Sequence, residues 1–254
     1  MADRLAVQIV SKYKNGPSVP ARAFRVLLAE EIRCFRTSTD DHGVWWDSGG
    51  WLKAGGWSRQ DRTNIQTLAT WLASRHVASP DSAWRLISRA DVFARATTAH
   101  DDMFLLAVLA WGYGATNDRF GNGPMAAKDA RNKGVSNIVR SLQAAAVEGP
   151  EATFRAWSGI AKVARLGPSY ASKLAHFACY NRRSGSGPLI ADTNTAWAYW
   201  LFTREEGSAA GPVPYSRYVT WCEEQARVMG HRSDDIERAM FGLGQDIRQI
   251  YNHL

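Results

Sequence analysis

The chain has 254 residues and a formal net charge of +7, with 45% hydrophobic and 22% charged residues. That balance excludes a disordered or fibrous chain and allows a sizeable core, in one large domain or two compact lobes. The basic excess favours an anionic partner, nucleic acid among them.

In chain order, residues 1–58 are the least regular. Val19 to Arg36 has a helical apolar rhythm through Phe24, Leu27, Leu28 and Ile32. Val44 to Trp57 then gathers Trp45, Trp46, Trp51 and Trp57 among four glycines and reads as a long structured loop. Its tryptophans either pin it to the core or contact a substrate. Residues 1–60 thus read as an N-terminal helix and a Trp/Gly-rich loop packing on a helical core of residues 61–254. In that core, Ile65, Leu68, Ala69 and Leu72 recur at helical spacing. Asp101 and Asp102 precede a run from Met103 that is apolar all round, which predicts a central buried helix ending at Gly112 and Gly114. The following stretch, with Arg119, Lys128, Arg131 and Lys133, reads as a solvated loop. A helix over Ser136–Val147 is stopped by Gly149 and Pro150.

Further helices are expected near 151–164, 168–180, 193–204, 216–229 and 234–252. In the last, Ile236, Met240, Leu243, Ile247 and Ile250 mark one face. No stretch alternates as a strand would, so the class is all-α. The GxG pairs 112/114, 121/123 and 242/244 follow no predicted strand and lack the full dinucleotide fingerprint. The three cysteines, Cys34, Cys179 and Cys222, are scattered and form no CxxC. This argues against a disulfide framework, a zinc ribbon or a four-cysteine cluster, and for a reduced, cytoplasmic protein. No signal peptide is expected, and the longest apolar run, Met103 to Trp111, is too short to span a bilayer.

The informative segment is Phe154 to Leu201. Phe154, Trp157, Ile160, Ala161 and Ala164 form the apolar face of one helix. The chain turns through Arg165-Leu166-Gly167, and Pro168 opens a second helix, where its missing N–H costs nothing. Ala171, Leu174, Ala175 and Ala178 mark the buried face of that helix. Ser169, Lys173, His176 and Tyr180 line its other face as a polar stripe. After the loop 181–187, Pro188-Leu189-Ile190-Ala191 leads to Asp192, immediately before an apolar helix with Ala196, Trp197, Trp200 and Leu201.

This order of hairpin, lysine-bearing helix, short apolar run and aspartate at a helix start resembles the helix-hairpin-helix DNA glycosylase superfamily. The segments RLGPSYASKLAHFACY and PLIADTNTAW, with LAWGYGATNDRF and DIERAMFGLG, most resemble a bacterial branch of 8-oxoguanine DNA glycosylase-like proteins. The resemblance covers about residues 100–250. It implies a two-lobed fold with the active site in the cleft between lobes, and an enzyme that flips one nucleotide out of duplex DNA. It further implies that Asp192 stabilises positive charge on the sugar as the glycosidic bond breaks. Lys173 is the implied nucleophile of a Schiff-base step in bifunctional members. Arg165, Leu166, Gly167 and Ser169 would hold a DNA phosphate at the hairpin turn. His176, Trp111, Trp45 and Trp46 are candidates for the substrate pocket.

Two positions depart from the family pattern. Arg165 stands where the hairpin usually has a glycine. Ser169 stands where many members carry the lysine, and Lys173 lies one turn later, about 5.4 Å along the helix. The expected partner is double-stranded DNA with a modified base, bound by a monomer without a membrane, metal or organic cofactor. The base is oxidised guanine or a phage hypermodified base such as glucosylated hydroxymethylcytosine, since related glycosylases in phage defence excise such bases. The alternative from another class is a non-catalytic helical DNA-binding module.

Overall fold

A computed structural model describes residues 2–13, 16–37, 43–54, 56–76, 83–114, 122–159, 163–207 and 209–253. The helices are α1 Ala2–Tyr13, α2 Ala21–Thr37, α3 Ser48–Lys53, α4 Arg59–Arg75, α5 Arg89–Thr98, α6 Asp102–Tyr113, α7 Asn122–Lys133, α8 Val135–Glu148, α9 Pro150–Ser158, α10 Pro168–Cys179, α11 Thr193–Thr203, α12 Pro212–Met229 and α13 Ser233–His253. Two short strands, β1 Val44–Asp47 and β2 Trp84–Ile87, pair antiparallel with Val44 opposite Ile87 and Asp47 opposite Trp84. The fold is all-α.

Local sequence sets the helix starts. Ser58 with Asp61, and Ser88 with Asp91, form reciprocal capping boxes at α4 and α5. Asp101 caps α6 by accepting from the Phe104 N–H at 2.9 Å. Phe104 to Trp111 are all buried, so α6 has no solvent face. It packs against α4, α5, α7 and α10 and is the central helix of their group. The chain termini belong to a second group, in which α1 and α2 pack on α13, and α13 on α11 and α12. One continuous hydrophobic core runs through both groups.

Three expectations are corrected. Within Val44–Trp57, residues 44–53 are not a loop but strand β1 followed by helix α3, and β2 is a second strand where none was expected. Four-residue strands are too short to show alternation, and β1 pairs with a segment about forty residues away. The stretch carrying Lys128, Arg131 and Lys133 is helix α7, held by its buried small face of Ala126, Ala127 and Ala130. Arg119 lies outside the described residues. Helix α9 ends at Ser158, capped by Gly159, so the hairpin's first helix is shorter than expected. Ile160 and Ala161 lie outside the described residues, and Ala164 sits in the exposed turn. Among the described residues no helix is long and apolar enough to cross a membrane.

Candidate active site

The turn between α9 and α10 is closed by the Leu166 N–H, which donates to the Val163 carbonyl at 3.1 Å. Arg165 adopts φ 64°, the left-handed conformation that a glycine takes most readily. The turn therefore keeps this backbone form with arginine in place of glycine, and the guanidinium pairs with Asp129 of α7. At the start of α10, Gly167 is the N-cap and supplies no side-chain cap. Tyr170 stacks on Tyr113 at 3.9 Å between ring centroids and fixes α10 to the end of α6.

The polar stripe of α10 does not face solvent. Lys173 is 6% exposed, His176 0% and Tyr180 7%. The segment 188–192 and the start of α13 cover it, and each polar group has a partner. The Tyr180 hydroxyl donates to Asp234 at 2.9 Å. Arg89 donates to His176 Nε2 at 2.6 Å, so this nitrogen accepts and Nδ1 carries the proton given to the Pro188 carbonyl at 2.7 Å. Burial, followed by the charge of Arg89, holds the His176 imidazole well below its ordinary range, consistent with the neutral form. The same Arg89 nitrogen binds the Glu237 carboxylate at 2.6 Å. Burial pushes the Glu237 carboxyl up, and Arg89 pulls against that shift.

The His176 contact is the first of four that hold the buried segment 188–191, which is neither helix nor strand. The Tyr215 hydroxyl serves both the N–H and the carbonyl of Leu189. Tyr218 donates to the Ile190 carbonyl at 3.1 Å. The Ser172 hydroxyl accepts from the Ala191 N–H at 3.0 Å and lies 3.2 Å from the Ala191 carbonyl. A buried backbone without a ladder needs such partners, because an unpaired amide in the core is costly.

This segment delivers Asp192 to the start of α11. Its Oδ1 accepts the N–H groups of Asn194 and Thr195, each at 3.0 Å, and its own N–H reaches Thr195 Oγ1 at 2.9 Å. Its Oδ2 stands 3.4 Å from Lys173 Nζ. The two carboxylate oxygens thus divide between capping the helix and facing the lysine. Lys173 Nζ also donates to Ser169 Oγ at 2.9 Å and lies over the Tyr170 ring. The lysine stem passes Gly112, where a Cβ would come within 3.3 Å of Lys173 Cδ.

Asp192 borders two cavities. One, of about 130 Å³, is lined by Arg89, Trp111, Glu237, Phe241 and Gln245. The other is a more open cleft of about 490 Å³, walled by Trp197, Trp200 and Tyr251 and floored by small residues. Of the sequence candidates, Trp111 lines the smaller cavity. Trp46 is fully buried, edge-on to Trp51 in the core. Trp45 lies on the opposite strand face, 49% exposed. Sequence reading missed Arg89, Glu237 and Gln245, because charges and amides gathered from α5 and α13 carry no local signal. It also set aside Gly244, where a Cβ would collide with the Asn194 carbonyl. That glycine lets α13 approach the backbone beside Asp192.

A family model described as "Putative 8-oxoguanine DNA glycosylase OGG-like protein" matches residues 37–241, four-fifths of the chain. Neither the curated proteins nor the solved structures give a match. The matched span contains the hairpin, Lys173, Asp192 and most of the residues around the smaller cavity, and the chain belongs to this 8-oxoguanine DNA glycosylase OGG-like family.

Proposed function

We propose that this protein withdraws one modified nucleotide from duplex DNA and breaks its N-glycosidic bond. The observation that carries the reading is the approach of Lys173 Nζ to Asp192 Oδ2, at 3.4 Å, on a carboxylate that borders a small polar cavity. The base leaves C1′ with the bonding electron pair, and the sugar becomes positively charged. Asp192 Oδ2 stabilises that charge, while Oδ1 remains tied to the start of α11. Lys173, once deprotonated, attacks C1′ and forms a carbon–nitrogen bond. Sugar-ring opening converts this adduct into a Schiff base, from which strand cleavage can proceed. Phosphate is held at the hairpin by Arg165, exchanging Asp129 for the phosphate, by the backbone N–H groups of Gly167 and Ser169 beside Leu166, whose own N–H closes the turn, and by the uncapped start of α10.

The smaller cavity suits one planar base. Pockets for drug-sized ligands measure about 300–1,000 Å³, well beyond its 130 Å³. Trp111 and Phe241 offer ring faces or edges there, and Arg89, Glu237 and Gln245 offer hydrogen bonds. Oxidised guanine is the first substrate of this reading. The aromatic cleft on the other side of Asp192 favours a second, a base with a bulky sugar such as glucosylated hydroxymethylcytosine, whose sugar would stack on Trp197 or Trp200.

The test is incubation under borohydride with 8-oxoguanine duplexes, abasic duplexes and phage DNA carrying glucosylated hydroxymethylcytosine, with released bases read by mass spectrometry. Release of oxidised guanine with a covalent complex lost in Lys173→Ala supports a bifunctional repair enzyme. Release of the glucosylated base alone supports the second substrate and a role in phage defence. Tight duplex binding without release from any DNA overturns catalysis and leaves a binding module.

A further inference from the structure

Two carboxylates, Asp192 and Glu237, border the smaller cavity, and they stand in different company. Asp192 opens α11 and has Lys173 Nζ at 3.4 Å. Glu237 lies near the start of α13 and is 1% exposed. Its Oε2 accepts from Arg89 at 2.6 Å. Nothing among the described residues donates to its Oε1, although buried polar atoms are normally paired. Because Glu237 lines the cavity, a base held there can reach that oxygen.

The surroundings favour a proton on Glu237. Burial disfavours the charged form and pushes the carboxyl up, Arg89 of α5 pulls it down, and the charges of Asp192 and Asp234 push it up again. His176 of α10, bonded to the same Arg89 nitrogen, is kept neutral by burial and by that arginine. On α12, Tyr215, Tyr218 and Cys222 interact with Glu237, and burial keeps all three protonated and uncharged. Glu31 of α2 and Arg238 of α13 add one charge of each sign at the cavity wall.

We infer that Glu237, in its carboxylic acid form, is the general acid that protonates the departing base. The inference rests on the DNA-glycosylase reading and names a further group for the same bond cleavage. The C1′–N bond breaks and its electron pair moves to the base. A nitrogen or oxygen of the base that shares this pair takes the proton from Glu237 Oε1, so the base leaves neutral rather than as an anion. Glu237 is left as a carboxylate whose Oε2 already faces Arg89, while Asp192 Oδ2 faces the positive sugar. Solvent returns the proton to Glu237 after the base has left. One cavity thus divides acid work from charge stabilisation between two carboxylates in different surroundings.

The experiment uses the full chain and single-turnover release of 8-oxoguanine from a duplex, and of the glucosylated base from phage DNA, between about pH 5.5 and 9. In wild type the rate should fall as pH rises through the folded pKa of Glu237, because only the protonated carboxyl can act. Deprotonation of Lys173 gives the opposite slope. Glu237→Gln keeps the size, an oxygen for Arg89 and a hydrogen-bond donor for the base, but has no proton to transfer. It should release base about a hundredfold or more slowly and lose the falling limb. Its affinity for a duplex with a tetrahydrofuran abasic analogue, which holds no base, should stay at the wild-type level. A variant as fast as wild type, with the limb unchanged, makes Glu237 a hydrogen-bonding partner only and overturns the acid role while leaving the glycosylase reading intact. Loss of abasic-duplex affinity together with the rate makes the residue structural and also overturns it. A wild-type rate that does not fall with pH overturns it without any variant, which decides the matter if Glu237→Gln does not fold. If wild type releases neither base, the glycosylase reading falls as well.

Discussion

The hydroxyl of Tyr215 bridges the backbone of Leu189, accepting its N–H at 3.0 Å and donating to its carbonyl at 2.9 Å. Both residues are fully buried. One side chain thus replaces, for a stretch with no sheet neighbour, the two bonds that a partner strand would provide. Leu189 lies three residues before Asp192, so the contact also helps to set where the carboxylate stands. Tyr215→Phe keeps the ring and leaves a buried amide without a partner, at a cost of about 1–3 kcal/mol. Under the proposed mechanism, the single-turnover rate of base release should fall by more than tenfold in protein that is still folded, because small displacements of a reacting group are expensive. A variant with the expected loss in chemical denaturation but an unchanged rate would confine Tyr215 to stability.

Asp192→Asn separates the two oxygens' roles. The amide oxygen can still accept from Asn194 and Thr195, so the capping contribution of about 1 kcal/mol is retained. Lys173, almost fully buried, loses its counter-charge at 3.4 Å. Stability should fall by up to about 3–5 kcal/mol, and pairing the change with Lys173→Met should recover much of it, since removing both partners of a buried pair costs less than removing one. Base release should drop at least a hundredfold in the single variant. The measurement is a double-mutant cycle on unfolding free energies, with single-turnover kinetics alongside. Additive losses would mean that the pair is not coupled.

Two glycines near the site should respond differently. At Gly244 an added Cβ meets the Asn194 carbonyl, a backbone atom that cannot step aside without parting α11 from α13. Gly244→Ala should cost about 1–3 kcal/mol or more as overpacking, and it should slow base release by shifting the start of α11. At Gly167 an added Cβ meets nothing within 4 Å. Its φ of −66° suits any residue, so Gly167→Ala adds no strain; the entropy gain of about 0.4–1 kcal/mol is offset by the poorer N-cap preference of alanine, and stability should stay close to that of wild type. Thermal unfolding of the two variants side by side decides the matter.

The helix boundaries around the site were legible because their signals are local. Pro168 opens α10, Asp192 opens α11, and the apolar run after Asp101 forms the central helix. The aspartate and the lysine-bearing helix could be named, but their separation could not, since it depends on the path of residues 188–191. That path is fixed by Ser172, His176, Tyr215 and Tyr218, four side chains from two helices with no shared sequence pattern. The burial of the α10 stripe was not legible for the same reason. Polar residues at helical spacing usually mark a wet face, and only the covering chain makes this one dry. The sheet escaped notice because its strands are four residues long and far apart, and α7 because alanines seat it beneath an otherwise polar sequence.

The neutral, enclosed His176 makes stability depend on pH in a definite direction. Its folded pKa lies well below the ordinary 6.5, through burial and then Arg89. Above about pH 6.5 the ring is neutral in both states and its contribution is fully present. As pH falls below that value the unfolded chain takes up a proton that the folded chain refuses, so stability drains away at up to about 1.4 kcal/mol per pH unit. Glu237 acts oppositely. Its raised folded pKa gives a contribution that is present below the ordinary 4.5 and is lost as pH rises through the folded value. Comparing wild type with His176→Gln cancels Glu237 to first order, because the glutamine can still accept and donate but does not titrate. Chemical denaturation between pH 7.5 and 5.5 should show wild type losing stability relative to the variant only below about pH 6.5. Parallel curves would mean that the imidazole takes up a proton inside the folded protein, and that the bond from Arg89 to its Nε2 does not hold in solution.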